Sequence, residues 1–138
     1  MLTAYCSGLG IGIAASSFMR QGISTTIVEI DPAVYDAATR FFGLPPSAPE
    51  QLFIQDARGW VQNRSEIAVA DSVDKTPTTL YDVVVHDCFS GGSAPAHLYT
   101  QEFWQELKSI VSPDGVIAVV SLVLSVGVMN GLIVDILP

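Results

Sequence analysis

The stretch YDVVVHDCFSGG, residues 81–92, decides the fold. Its valine triplet is apolar on both faces, as a strand is when it lies inside a parallel sheet covered on both sides. The run then breaks on Asp87 and a loop of glycine and serine. An open α/β sheet gathers its ligand-binding residues just past the carboxyl ends of its strands, which is where such an acid and such glycines stand. Working outward, the pattern recurs three times in a fixed order: a strand at 2–7 before GLGIG at 8–12, a strand at 25–29 before DPAV at 31–34, and a strand at 51–55 before DAR at 56–58.

The segments between these strands read as helices. One covers 13–21 and is closed by Gly22 as a C-cap. The next is capped by Asp31, takes Pro32 in its first turn, runs to about Phe42 and stops at Gly43. A loop at 44–50 holds three prolines. A third helix is expected around 57–64, followed by a polar, turn-rich stretch at 65–79, and a fourth runs from Thr100 to Val111. Pro113-Asp114-Gly115 is a turn that introduces a fifth strand at 116–120. The order β-α-β-α-β-α-β-α-β, closed by right-handed crossovers, gives a Rossmann-like doubly wound parallel sheet of the α/β class, cut short after strand five. Residues 1–121 form this domain, and 122–138 form an atypical apolar tail.

Composition narrows the functions open to the chain. Its 138 residues hold one domain, and a hydrophobic content of 49% with a mean hydropathy of +0.43 suits buried parallel strands. Six Lys and Arg against fourteen Asp and Glu give a net charge of −8. That charge repels a phosphate backbone, which argues against nucleic acid as a partner. Two cysteines, Cys6 and Cys88, are too few for a disulfide framework or a tetrahedral metal site, so no metal is expected and the compartment is a reducing one, the cytoplasm. Residues 1–5 carry no secretory pattern. Residues 116–134 are nineteen without a charge, long enough for a membrane helix. The turn before them and Gly127, Asn130 and Gly131 within them favour a buried strand followed by an apolar tail. Such a tail, if exposed, could pair with a second copy of the chain and give a homo-oligomer.

Each strand end offers a chemistry. In GLGIG, Gly8, Gly10 and Gly12 lack Cβ atoms, so the backbone can turn tightly and a ligand can approach it. The spacing is not the dinucleotide GxGxxG, because Ile13 stands where the third glycine is wanted, which disfavours a nicotinamide-dependent dehydrogenase. Glu29 ends the second strand 21 positions after Gly8, near the spacing at which a carboxylate reaches vicinal ribose hydroxyls. Asp56 can accept from the exocyclic amine of adenine while Ala57 leaves room for the ring, or it can cap the helix that follows, or both. Asp87, beside the glycine loop, faces the reactive end and is the candidate catalytic residue; as an alternative it initiates the turn at 88–92. His86 points to the opposite face and is expected to be packed. His97 lies on the loop, within reach of a substrate, with no partner identifiable from sequence.

Together these segments resemble the spermidine synthase-like branch of the class I S-adenosylmethionine-dependent methyltransferase superfamily, over about residues 4–120. The most specific pieces are VEIDPAV and YDVVVHDCFSGGSAPAHLYTQEFWQELKSIVSPDGVIAV, with its acidic loop, EFW helix and PDG turn. The resemblance implies S-adenosylmethionine or its decarboxylated form as group donor. Gly8, Gly10 and Gly12 would line the methionine-derived part, Glu29 the ribose, Asp56 and Ala57 the adenine, and Asp87 the reacting centre. Aminopropyltransferases of this branch carry GGGDG in the first loop and a second acid in a DxxDP loop, where this chain has Ile11 and Ser90. Those two departures favour methyl transfer to a small-molecule acceptor, an amine among the candidates, over aminopropyl transfer to a polyamine. A non-catalytic nucleoside-binding module is the remaining alternative.

Overall fold

The computed structural model describes residues 1–47, 51–74, 79–89, 92–122 and 132–137. Among these residues eleven elements follow in order, ten of them labelled here: β1 Thr3–Ser7, α1 Ile13–Arg20, β2 Ser24–Glu29, α2 Pro32–Phe41, β3 Leu52–Ile54, α3 Ala57–Asp74, β4 Tyr81–His86, a 3₁₀ turn Ala96–Leu98, α4 Gln101–Ser109, β5 Val111–Leu122 and β6 Leu132–Leu137. They form one sheet in the order β3-β2-β1-β4-β5-β6, with β1 to β5 parallel and β6 antiparallel to β5. The doubly wound α/β class expected from sequence is what the chain adopts.

Alternation along the strands builds the two layers. Consecutive strand residues face opposite sides of a sheet. Tyr5, Val28 and Val84 point into one cluster, with Trp60 and Val61 of α3 and Phe103 and Leu107 of α4. Their neighbours Cys6, Ile27 and Val85 point into the other, with Ala15 of α1 and Ala38 of α2. Tyr5 stacks on Trp60 with ring centroids 4.6 Å apart, pinning α3 beneath the centre of the sheet.

The helix ends follow local chemistry. Asp31 accepts the Ala33 N–H at 2.8 Å and Pro32 opens α2, as the sequence predicts. Thr100 accepts the Phe103 N–H at 3.2 Å and caps α4. Gly22, at φ 74°, follows the last turn of α1 in the left-handed region.

Three expectations differ from the structure. First, the third helix does not stop near residue 64: α3 continues to Asp74, so most of the segment read as turn-rich is helical. Its polar residues are compatible with a helix whose docking is supplied by Trp60 and Val61 in the first turns. Second, Pro113-Asp114-Gly115 does not separate a helix from a later strand. Tyr81 pairs with Val111 and Val83 with Val116, so two steps along β4 match five along β5 and the triplet is absorbed as an irregularity inside the strand. Gly115 is needed there because a Cβ on it would stand 2.8 Å from the Tyr81 carbonyl oxygen. Third, the apolar tail supplies a strand after all, as Leu132–Leu137 returns along β5 with Leu132 beside Leu122 and Leu137 beside Ile117. An antiparallel return needs no crossover helix, which is why a short tail suffices. Among the described residues no helix is long and apolar enough to cross a membrane, and residues 123–131 of the candidate span lie outside them.

Candidate active site

Parallel β1, β2, β3 and β4 all end at one edge of the sheet, and a cavity of about 370 Å³ opens there. The size is within the range that takes a small ligand or cofactor. The β1–α1 turn contributes Gly8, Leu9 and Gly10; the end of β2 contributes Val28 and Glu29; the β3–α3 junction contributes Gln55, Asp56 and Ala57; and β4 leads into Asp87, Cys88 and Phe89. Pro95, His97 and Leu98, from the 3₁₀ turn and the residues before it, close the remaining side.

The glycine turn is shaped by close approach. Gly8 has φ 83°, and a Cβ there would stand 2.1 Å from the Asp87 carbonyl oxygen and 3.3 Å from the Cys88 sulfur. Its N–H donates to Val28 O at 2.9 Å, while the Asp87 N–H donates to Ser7 O at 2.8 Å, so the ends of three strands are tied together at this point. Gly10, at φ 56°, has open space where a Cβ would go and borders the cavity.

Glu29 is only 8% exposed, and its carboxylate is held from both sides. The Leu9 N–H donates to Oε2 at 2.9 Å and the Asp31 N–H to Oε1 at 3.0 Å. Each carboxylate oxygen has a second lone pair, so acceptor capacity for ligand hydroxyls is left over.

Asp56 serves as helix cap and cavity residue at once. Its Oδ1 accepts the Arg58 N–H at 2.8 Å, and Oδ2 stands 2.8 Å from His97 Nε2. Ala57 is buried beside it. The Arg58 guanidinium makes a two-point ion pair with the Glu106 carboxylate, joining α3 to α4.

Asp87 stands exposed at the cavity rim, and partial desolvation raises its pKa above the usual carboxylate value. Next to it, the Cys88 thiol is buried and lies 3.2 Å from Ser7 Oγ. Burial pushes that thiol up to about 11, and the charges of Glu29, Asp87 and Asp56 act in the same direction. It therefore stays protonated at neutral pH and is no nucleophile. His86 is fully buried among Tyr99, Phe103 and Trp104, with neither ring nitrogen in a completed hydrogen bond. Burial lowers its pKa to about 4, opposed by the nearby Leu98 backbone.

The cavity thus brings together Gly8, Gly10, Glu29, Asp56, Ala57 and Asp87. Gly12 is placed elsewhere. It is the left-handed N-cap of α1, packed so that a Cβ would meet Leu44 Cδ1 at 3.3 Å and Ala38 Cβ at 3.6 Å. His97 gains a partner that sequence reading did not supply, because Asp56 lies 41 residues away and only the fold unites them. Leu9, Phe89 and Leu98 also border the cavity without having been singled out. Among the described residues no group of three or more His, Cys, Asp and Glu is placed to hold a metal ion.

Solved structures share this architecture. A probable spermidine synthase from Corynebacterium glutamicum superposes with a TM-score of 0.67 at 24% identity, over 86% of this chain and 39% of that one, a likeness of fold. Human methyltransferase-like protein 13 in complex with SAH superposes with a TM-score of 0.57 at 27% identity, over 85% of this chain and 53% of that one. Among curated proteins, the N-terminal histidine N-methyltransferase of Emericella nidulans is 41% identical over 112 residues, 81% of this chain and 18% of the relative. The polyamine aminopropyltransferase of Vibrio vulnificus is 34% identical over 91 residues, 66% of this chain and 27% of the relative. The chain thus spans less than a third of either curated relative. Residues 18–129, most of the doubly wound sheet and its helices, match the model of the spermine/spermidine synthase domain, and the chain belongs to that family.

Proposed function

We propose that this chain is a donor-binding transferase domain that takes S-adenosylmethionine and passes its methyl group to a nitrogen nucleophile. The observation that carries the reading is Glu29, buried at the floor of the cavity and locked by the Leu9 and Asp31 N–H groups, with lone pairs left for two vicinal hydroxyls. The likeness to a protein named as an N-terminal histidine N-methyltransferase supports an amine-type acceptor. Residues 1–121 are the unit proposed to act, and the buried free cysteines suit a reducing compartment such as the cytoplasm.

The residues of the cavity fit such a donor by their chemistry. Gly8 and Gly10 give backbone that a ligand can approach, Glu29 takes the ribose hydroxyls, and Asp56 with Ala57 takes the base. The donor, when bound, supplies a methyl group activated by a sulfonium centre. The chain's part is positioning and proton handling. Asp87, at the rim, accepts an N–H of the incoming amine, which aims the nitrogen lone pair and gives the departing proton a place to go. Its raised pKa makes it a better base than an ordinary aspartate.

Aminopropyl transfer is a second reading, favoured by the family and by the Vibrio vulnificus relative. Ile11 argues against it, since an apolar side chain stands where aminopropyltransferases place an acid. Calorimetric titration with S-adenosylmethionine, its decarboxylated analogue and methylthioadenosine, with Glu29→Ala as control, separates the two. Preference for S-adenosylmethionine that vanishes in the variant supports methyl transfer. Preference for the decarboxylated donor selects aminopropyl transfer, and no binding by folded protein overturns both.

A further inference from the structure

The His97–Asp56 contact is a device of this chain that the proposed reaction does not by itself require. We infer that His97 is a specificity-determining positioning residue: it fixes the Asp56 carboxylate so that the site accepts a 6-amino purine and rejects a 6-oxo purine. The inference rests on the donor-binding reading above.

Both oxygens of Asp56 are engaged, and from different directions. Oδ1 takes the Arg58 N–H at 2.8 Å from its own helix, and Oδ2 meets His97 Nε2 at 2.8 Å from the loop after β4. The carboxylate cannot turn without losing one of them. His97 is itself well anchored. Leu98 beside it is buried in the core, and the turn is closed by the Leu98 N–H donating to Pro95 O at 3.0 Å and the Tyr99 N–H to Ala96 O at 3.1 Å.

Held this way, Asp56 keeps one free lone pair on each oxygen, and an ionised carboxylate only accepts. A ligand group that meets it must be a donor. An exocyclic amine satisfies that demand, whereas a carbonyl oxygen at the same place faces a carboxylate with no proton between them. Sites built around a fixed hydrogen-bonding group discriminate in this way because the mismatched analogue leaves polar groups unpaired.

A purely structural role fits less well. The two side chains are 51% and 42% exposed, and a pair so open to solvent adds little to stability. It joins the start of α3 to the 3₁₀ turn Ala96–Leu98, which leads into α4, and α3 is already tied to α4 by Arg58 and Glu106. The contact is not needed to hold α3 near α4, but it is the contact that sets the orientation of Asp56 Oδ2.

The test is calorimetric titration of S-adenosylhomocysteine and its 6-oxo counterpart, S-inosylhomocysteine, into wild type, His97→Ala and His97→Gln. Wild type is expected to prefer the 6-amino ligand. His97→Ala should bind it about tenfold more weakly, the loss of one well-placed hydrogen bond, and should leave the weak binding of the 6-oxo ligand unchanged, so the ratio narrows. His97→Gln, whose amide N–H can stand in for Nε2–H, should recover most of the preference. An unchanged ratio in folded His97→Ala overturns the inference alone, as does a His97→Gln that behaves like His97→Ala. Wild type that binds neither ligand removes the donor-binding reading and this inference with it.

Discussion

Gly8 and Asp87 meet so closely that a Cβ on Gly8 would lie 2.1 Å from the Asp87 carbonyl oxygen. The turn that receives the ligand and the strand end that carries the candidate base are therefore packed backbone against backbone. Gly8→Ala should destabilise the fold by about 2–4 kcal/mol, combining a left-handed φ with a clash that only backbone movement can relieve. Gly10→Ala, with a positive φ but open space around it, should cost about 1–2 kcal/mol. Urea denaturation of the two variants checks the order, and equal costs would contradict the packing.

Glu29→Gln tests the buried carboxylate. An amide keeps one acceptor oxygen and turns its NH₂ toward either the Leu9 or the Asp31 N–H, leaving that donor unpaired. A loss of about 1–3 kcal/mol in stability is expected from the orphaned donor. Binding of S-adenosylhomocysteine should fall by at least about tenfold, since a charged acceptor for the hydroxyls is gone. A variant as stable and as tight-binding as wild type would exclude Glu29 from both tasks.

Asp87→Asn should leave donor affinity intact and lower turnover by about 10²–10⁴, the usual span for a general base. The wild-type pH profile carries the same information. Because the folded pKa is raised, Asp87 protonates at a pH above that of an ordinary aspartate, and activity should fall as pH drops through that raised value. The profile of Asp87→Asn should lose this acid limb. If the limb survives the substitution, another group is responsible.

His86 predicts acid sensitivity of the fold. Its pKa is about 4 in the folded chain against 6.5 when exposed, so the neutral form is the one the core holds. Above pH 6.5 neither state takes the proton and the full stability is present. Between 6.5 and 4 the unfolded chain is protonated first, and stability falls as pH falls, by on the order of 3 kcal/mol in all. His86→Phe should flatten this limb. It should also stabilise the protein at neutral pH, because two buried ring nitrogens without completed hydrogen bonds are removed from a pocket already lined by Tyr99, Phe103 and Trp104.

Much of the fold was legible because its signals are local. Valine runs, Asp31-Pro32, Gly22 and Thr100 each act within a few residues, and the strands and caps they predict are present. The extension of α3 to Asp74 was not legible, since the apolar residues of 65–74, Ile67 to Ala70 and Val73, form no single stripe and the helix is launched by packing at Trp60. The pairing of β6 with β5 was hidden for a different reason: an apolar tail reads alike whether it pairs with a strand or not. Within the site, Gly8, Gly10, Glu29, Asp56, Ala57 and Asp87 stand together because each sits at a strand end, a position sequence can identify. Gly12 shares the spacing of its neighbours, yet two more residues carry it over the lip of the turn to cap α1. His97 is the opposite case, a loop residue whose meaning comes only from a carboxylate on another strand end.

The antiparallel course of β6 decides what a probe placed on that strand reports. Leu132 lies level with Leu122, past the edge where the cavity opens, and the strand then travels back until Leu137 is level with Ile117, which itself pairs with Val84 in mid-sheet. At that point the chain is heading toward the far side of the sheet, away from Asp87. A spectroscopic label introduced at position 137 would consequently report from mid-sheet, away from the ligand entrance.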